Sequence, residues 1–268
     1  LEPAKIGWGE IEAGDYTALR RWVLHPKFIR EDPFGNLTVR ANMHAATNWD
    51  HVTGPSGPED PMLQVISVQT AEGKPLGLLA NFSMHYFGDQ DISADYFGLF
   101  SNGLQDQLDP GKTGFVAMMS HGCSGDIWRH DYEKSPERGK DGPTIEGYSA
   151  DMIALALKAI DGIAYESPAS IAMSETRMTL NYRVPDKQRL EWAQKIVAEM
   201  GDRLPKTQPE VYAKEQIILH ERQKTEIVVQ GLRIGEHIGI ATTPNETYAL
   251  TGLKIKAASP LPKTMVIE

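Results

Sequence analysis

The chain has 268 residues, enough for one large domain or two small ones, and its 41% hydrophobic and 24% charged content is that of an ordinary globular protein. A net charge of −9 argues against nucleic acid as the main partner, because neutralising phosphates needs a basic face. Nothing approaches the roughly 18 consecutive apolar residues of a transmembrane segment, and a single cysteine, Cys123, excludes an intramolecular disulfide and a Cys-rich metal site.

Residues 4–12 partly alternate and predict a strand. Residues 13–60 give no clear element. They run from Arg20-Arg21 through the apolar Trp22–Leu24 and the turn at Asp32–Gly35 to Asp50–Pro61, a Gly- and Pro-dense surface loop with a flexible domain linker as the alternative. Met62–Thr70 is alternating and β-branched, Ala71–Pro75 turns the chain and Leu76–His85 returns it, which predicts a β-hairpin whose second strand stops at a histidine. Ser93–Leu108 predicts a helix with Ser93 as its cap and an apolar stripe at Tyr96, Phe97, Leu99, Phe100, Leu104 and Leu108. Phe115–Ser120 reads as a short buried strand, and His121–Pro143 as a polar loop of the length that tends to be functional. A helix at Tyr148–Ile163, a strand at Ile171–Arg183 and helices at Asp186–Met200 and Glu210–Arg222 follow. Strands at Thr225–Ile234 and Glu236–Thr242 and a helix at Asn245–Ala258 complete the series. Interleaving without strict alternation predicts mixed β-sheets flanked by helices, an α/β or α+β fold, in a single domain spanning 1–268. Residue 1 is Leu, and Lys263–Glu268 reads as a strand cut off in mid-flow, so the chain is expected to be a piece of a longer protein, truncated at both ends.

Three apolar runs end in reactive side chains: Leu76–His85, Gly114–His121 and Ile238–Glu246. His85 at a strand end is placed to ligate a metal or carry a proton, with Asp89 and Asp91 beside it. On spacing alone a histidine bonded to a local carbonyl is the better reading, since no HExxH-type motif backs the ligand, and the two aspartates commonly form turns. Glycines around Cys123 and Ser124 let backbone approach a substrate. However, Gly122–Gly125 falls one residue short of a nucleophile elbow and no helix follows it. Thr243–Glu246 is written as a capping box, in which Glu246 does no more than bond back to the cap.

The order of these segments resembles the zinc-dependent catalytic domain of the neutral/alkaline non-lysosomal ceramidase family. The resemblance rests on Met62–Thr70 with Gly73–Pro75, Ala80–His85, Ser93–Gly98, Gly114–Ala117 leading to Gly125-Asp126, Gly235–Ile240, Pro244–Glu246 and Leu253–Pro260. It implies a hydrolase that cleaves an amide such as that of ceramide, in a bacterial, secreted or periplasmic setting. It also implies one Zn2+ held by two His, a Glu and a Tyr. His85 matches the second His and Glu246 the Glu; the first His and the Tyr belong to segments before Leu1 and after Glu268. In this setting Asp126 and His121 are the candidates for orienting ligands or transferring protons. Arg129 or His130 would stabilise an oxyanion or hold an anionic group of the substrate, and Asp89, Asp95 and Trp128 would meet the substrate. The family carries Gly-Asp-x-Ser-Pro-Asn, whereas here Trp128 stands at the serine position, so a serine-based step there is excluded. The competing expectations are a binding protein that has kept the fold without the chemistry, a hydrolase of a different, non-lipid substrate, and a metal-independent hydrolase built on Cys123 or Ser124.

Overall fold

Alternation in Met62–Thr70 lets one strand serve two cores. Leu63 and Val65 point to one face, where they meet helices, and Ile66 and Val68 to the other, where they meet a second sheet. In the computed structural model, which describes residues 3–134, 142–167 and 170–268, this strand is the centre of a five-stranded sheet. Its members are β1 (Ala4–Glu12), β2 (Met62–Thr70), β3 (Pro75–Phe82), β4 (Val116–His121) and β5 (Tyr165–Glu166), in the order β4-β3-β2-β1-β5. The hairpin β2/β3 forms as expected, with a register shift at Val68/Gln69. β4 runs parallel to β3, pairing Val116 with Gly77 and His121 with Phe82. It is an edge strand, not a buried one: Val116 and Met118 are exposed, because only one face of an edge strand meets the core.

Helices α1 (Asp95–Leu108) and α2 (Ile145–Asp161) pack on each other and on one face of this sheet. Tyr96, Phe100 and Leu104 of α1 and Tyr148, Met152 and Ala156 of α2 are buried against Leu63, Val65, Ala80 and Phe82. Ser93 is not the cap: α1 starts two residues later behind Ala94, and the Ser93 hydroxyl accepts instead from Asp95 N at 2.9 Å. The other face of the sheet packs Ile6, Trp8 and Ile66 against Ile234, Ile238 and Met265. Those come from a second sheet, β6 (Ile171–Asn181), β7 (Lys224–Ile234), β8 (Ile238–Thr242) and β9 (Lys263–Ile267), with β8 and β9 parallel.

The chain divides into two compact units. The first, Leu1–Arg21 with Pro55–Glu175 and Val229–Glu268, holds the five-stranded sheet, α1, α2, β8, β9 and every candidate residue. The second, Trp22–Gly54 with Thr176–Val228, is built on the helix pair α3 (Lys187–Met200) and α4 (Gln208–Arg222). Asp186 caps α3, and a capping box of Thr207 and Glu210 opens α4. The mixed α/β architecture agrees with the sequence expectation. Among the described residues, no helix is long and apolar enough to cross a membrane.

Candidate functional site

Strand β3 ends at Phe82, so His85 lies three residues beyond it and not at its last position. The ring is buried. It sits 4.2 Å from the Tyr86 ring, 5.7 Å from Trp128 and 6.1 Å from His121, centroid to centroid. Burial and the nearby Arg20 charge hold its pKa below the ordinary value, so near neutral pH it keeps a free lone pair. Its Nε2 faces Glu246 Oε1 at 3.8 Å, too long for a hydrogen bond. Nδ1 is buried without a hydrogen bond of good geometry, although the Tyr86 backbone lies near enough to favour the protonated ring.

Glu246 is not used as the sequence pattern proposes. Asn245 adopts φ 65°, a left-handed conformation that takes the chain off a helical path, and the helix α5 (Ala249–Ala258) starts only after Tyr248. Thr243 Oγ1 meets Thr247 Oγ1 at 3.1 Å rather than capping, and the Glu246 side chain is 65% exposed in front of His85. The first turn of α5 is capped from elsewhere in the chain: Ala249 N donates to Asp126 Oδ1 at 2.9 Å. Burial raises the Asp126 pKa against that bond. Gly125 makes the close approach possible, since a Cβ there would stand 2.5 Å from the Glu246 carbonyl oxygen.

Beneath this pair lies a buried network that sequence reasoning missed at its key residue, Glu268. Its carboxylate accepts from Ser124 N (2.9 Å), Ser124 Oγ (2.8 Å) and Thr247 Oγ1 (3.1 Å), and burial pushes its pKa up. His121 Nε2 lies 3.0 Å from Met84 O and 2.7 Å from Ser124 Oγ. A carbonyl only accepts, so Nε2 carries the proton, Ser124 Oγ accepts it, and the Ser124 hydroxyl donates to Glu268. His121 is therefore not the base of a serine triad. Ser124 and Cys123 are both buried, and burial raises the Cys123 thiol pKa, so neither is presented as a nucleophile.

The remaining candidates fall into two groups. Trp128 belongs to a two-residue strand, Ile127–Trp128, that pairs with Ala18–Leu19 inside what the sequence reads as loop; residues 135–141 of that loop lie outside the described residues. Arg129 rests 4.3 Å from the Trp128 centroid and 4.4 Å from that of Phe87, so it belongs to the surroundings of His85. His130 turns its ring to Tyr132 (5.1 Å), with Nε2 buried and unpartnered. Asp95 organises the turn after His85: its carboxylate accepts from the backbone N of Phe87, Gly88, Asp89 and Tyr96. Asp89 is exposed and accepts from Ser93 Oγ at 3.2 Å.

No family model and no curated relative matches this sequence. Among solved structures, the chain is similar to a neutral ceramidase from Pseudomonas aeruginosa, with TM-score 0.58 at 14% identity. It is similar also to a ceramidase complexed with C2, at 0.58 and 15%. The fold is ceramidase-like. The similarity covers 99% of this chain but 45% and 46% of those two, so the chain spans a little under half their length.

The two donors fit part of a metal site. Ligands of one tetrahedral zinc at about 2.1 Å stand roughly 3.4 Å apart, close to the 3.8 Å between His85 Nε2 and Glu246 Oε1. A weakly held Nδ1 departs from the firm outer hydrogen bond that usually fixes a metal-ligating histidine. Among the described residues, no group of three His, Cys, Asp or Glu side chains converges in a way that could hold a metal ion. The polar ends of β3, β4 and β9 and the loop after β8 do meet, and Glu268 follows the same rule as His85 and His121: an apolar run with a polar residue at its end. That repetition was the signal available for it.

Proposed function

We propose that this chain carries part of the active site of a zinc-dependent hydrolase of the neutral ceramidase type, acting on an amide or related acyl bond. The observation that carries the reading is the release of Glu246 from its capping box to face the buried, neutral Nε2 of His85. His85 and Glu246 would hold the metal, and the reading requires at least one further ligand from beyond the described residues. Zinc in such a site supplies Lewis acidity and acidifies a coordinated water to a pKa of about 7. The protein's own residues keep the donors ready. Burial keeps His85 neutral, Gly125 and Asp126 fix the loop and helix on either side of Glu246, and the Ser124–Glu268 contact ties Thr247, the residue after it. His121 fixes the turn of chain at Met84 that delivers His85, and so acts here as a positioning residue.

The test is metal content together with turnover. Full-length protein, with the segments that would supply the remaining ligands, loaded with zinc and desalted should retain close to one equivalent and release fatty acid from an N-acyl amide lipid, and His85→Ala should lose both. Zinc retention unaffected by His85→Ala would sink the reading. A second reading, a ligand-binding protein without chemistry, is favoured by one observation: Trp128 packs beside His85 where the resembled family has a serine. It predicts lipid binding without fatty-acid release at any zinc loading.

A further inference from the structure

Two guanidinium groups stand over Trp128 without a carboxylate partner. Arg20 lies 5.8 Å and Arg129 4.3 Å from the indole centroid, and that ring lies beside His85. Some other arginines do meet carboxylates, as Arg183 does Asp32 at 3.3 Å and Arg189 does Glu31 at 3.7 Å. Neither Arg20 nor Arg129 has one within ion-pair distance among the described residues. Each places one donor on a protein acceptor, Arg20 Nη2 on Gly125 O (2.9 Å) and Arg129 Nη1 on Phe87 O (3.4 Å), while Arg20 Nε is buried with no partner. The carboxylates that act on them electrostatically are engaged elsewhere: Asp126 on Ala249 N, and Asp95 on its four backbone N–H groups. Cations drawn partly out of water with no counter-charge at contact distance are costly unless an anion completes them, and stacking on Trp128 and Phe87 offsets only part of that cost.

We infer that Arg20 and Arg129 form an anion subsite beside His85, so that the molecule bound there is an N-acyl amide bearing a carboxylate, as in an N-acyl amino acid, rather than a neutral N-acyl lipid. That the bound molecule is also cleaved rests on the hydrolase reading above; the binding preference does not. Trp128, Phe87 and the exposed Tyr86 supply apolar surface for the acyl chain, and a planar carboxylate matches the paired donors of a guanidinium.

The experiment uses the full chain stripped of metal and two probes of equal chain length, N-dodecanoylglycine and neutral N-dodecanoylethanolamine, below their micellar concentrations. Titration calorimetry should show the anionic probe binding about tenfold more tightly, the ratio expected of one charge-assisted contact. The gap should narrow in high salt. Arg20→Gln with Arg129→Gln should abolish the preference while leaving neutral-probe binding within about threefold, and the paired Arg→Lys variant should keep part of it. Equal binding of the two probes by the unaltered chain overturns the inference, as does a preference that survives both glutamines. If the glutamine pair fails to fold, the salt dependence of the unaltered chain decides, and a preference insensitive to salt overturns it. A preference found without zinc retention or turnover would leave this inference standing and remove the hydrolase; turnover of both probes without preference would do the reverse.

Discussion

Gly125→Ala tests whether backbone contact, rather than side-chain chemistry, sets the distance between His85 and Glu246. An ideal Cβ at position 125 would lie 2.5 Å from Glu246 O, 2.9 Å from Glu246 C and 3.1 Å from Thr247 O, and backbone cannot swing aside as a flexible side chain can. Restoring ordinary contact moves the 246–247 segment by roughly 0.5–1 Å, and overpacking of this kind costs about 1–3 kcal/mol. The displacement opens the 3.8 Å spacing of the two donors and strains the Gly125 N to Thr247 O bond of 2.9 Å. If the pair shares a metal, zinc affinity falls about 10- to 100-fold, the loss typical when the support of a ligand is disturbed. The assay is competition with a chromogenic chelator beside a thermal melt. Gly231→Ala serves as control, since its Cβ would meet nothing within 4 Å. A Gly125→Ala protein with the Tm and zinc affinity of the control would refute the reasoning.

Asp126→Ala should cost about 1–2 kcal/mol through the lost cap on Ala249 N, read by urea unfolding. Burial raises the Asp126 pKa above 3.8, so ionising it in the folded protein costs stability that is fully present below that value and lost as pH rises through the folded pKa, although the cap on Ala249 N itself remains; Asp126→Asn should therefore gain on the unaltered protein as pH rises over that window. Asp95 has the opposite sign. Burial would raise its pKa, but the N–H groups of Phe87, Tyr96, Asp89 and Gly88 outweigh this and hold it below 3.8. Its stabilisation is present above that value and decays as pH falls through the lower folded pKa, a decay that Asp95→Asn should remove from the acid limb of a pH–Tm profile. Glu268→Ala leaves Ser124 N and the Ser124 hydroxyl without their acceptor, removes one of the partners of Thr247 Oγ1, and should cost about 2–4 kcal/mol; an unfolding midpoint unchanged by it would show that the buried network does not hold the site.

The layers of the larger unit were open to sequence reasoning because alternation is a direct record of two faces. Met62–Thr70 sends odd positions to α1 and α2 and even ones to the second sheet, and its bounds match the expected strand. The division into two units was marked only at Gly54/Pro55, inside the Gly- and Pro-dense stretch; each unit is assembled from separated stretches, and no composition shift marks where Trp22 leaves the first unit or Thr176 enters the second. Helix starts failed where a side chain distant in sequence took over the local signal. The Thr243–Glu246 pattern is a sound capping box, as the same pattern at Thr207–Glu210 demonstrates by forming one. It fails at 243 because Asp126 already occupies the first turn of α5 and Asn245 takes φ 65°.

That contrast between two capping boxes bears on the site itself. At Thr207–Glu210 the local bonds form, and Glu210 is held by Arg203 and the cap. At Thr243–Glu246 the cap has been supplied from the loop after β4, and the carboxylate is left facing a buried imidazole whose pKa is held low. A carboxylate freed from a bond its own sequence could make stands 3.8 Å from a neutral nitrogen it does not hydrogen-bond, so the protein alone gives the two only a weak attraction. A cation between the two would supply the missing interaction, which is why the pair, rather than either residue, is the strongest argument for metal chemistry in this fold.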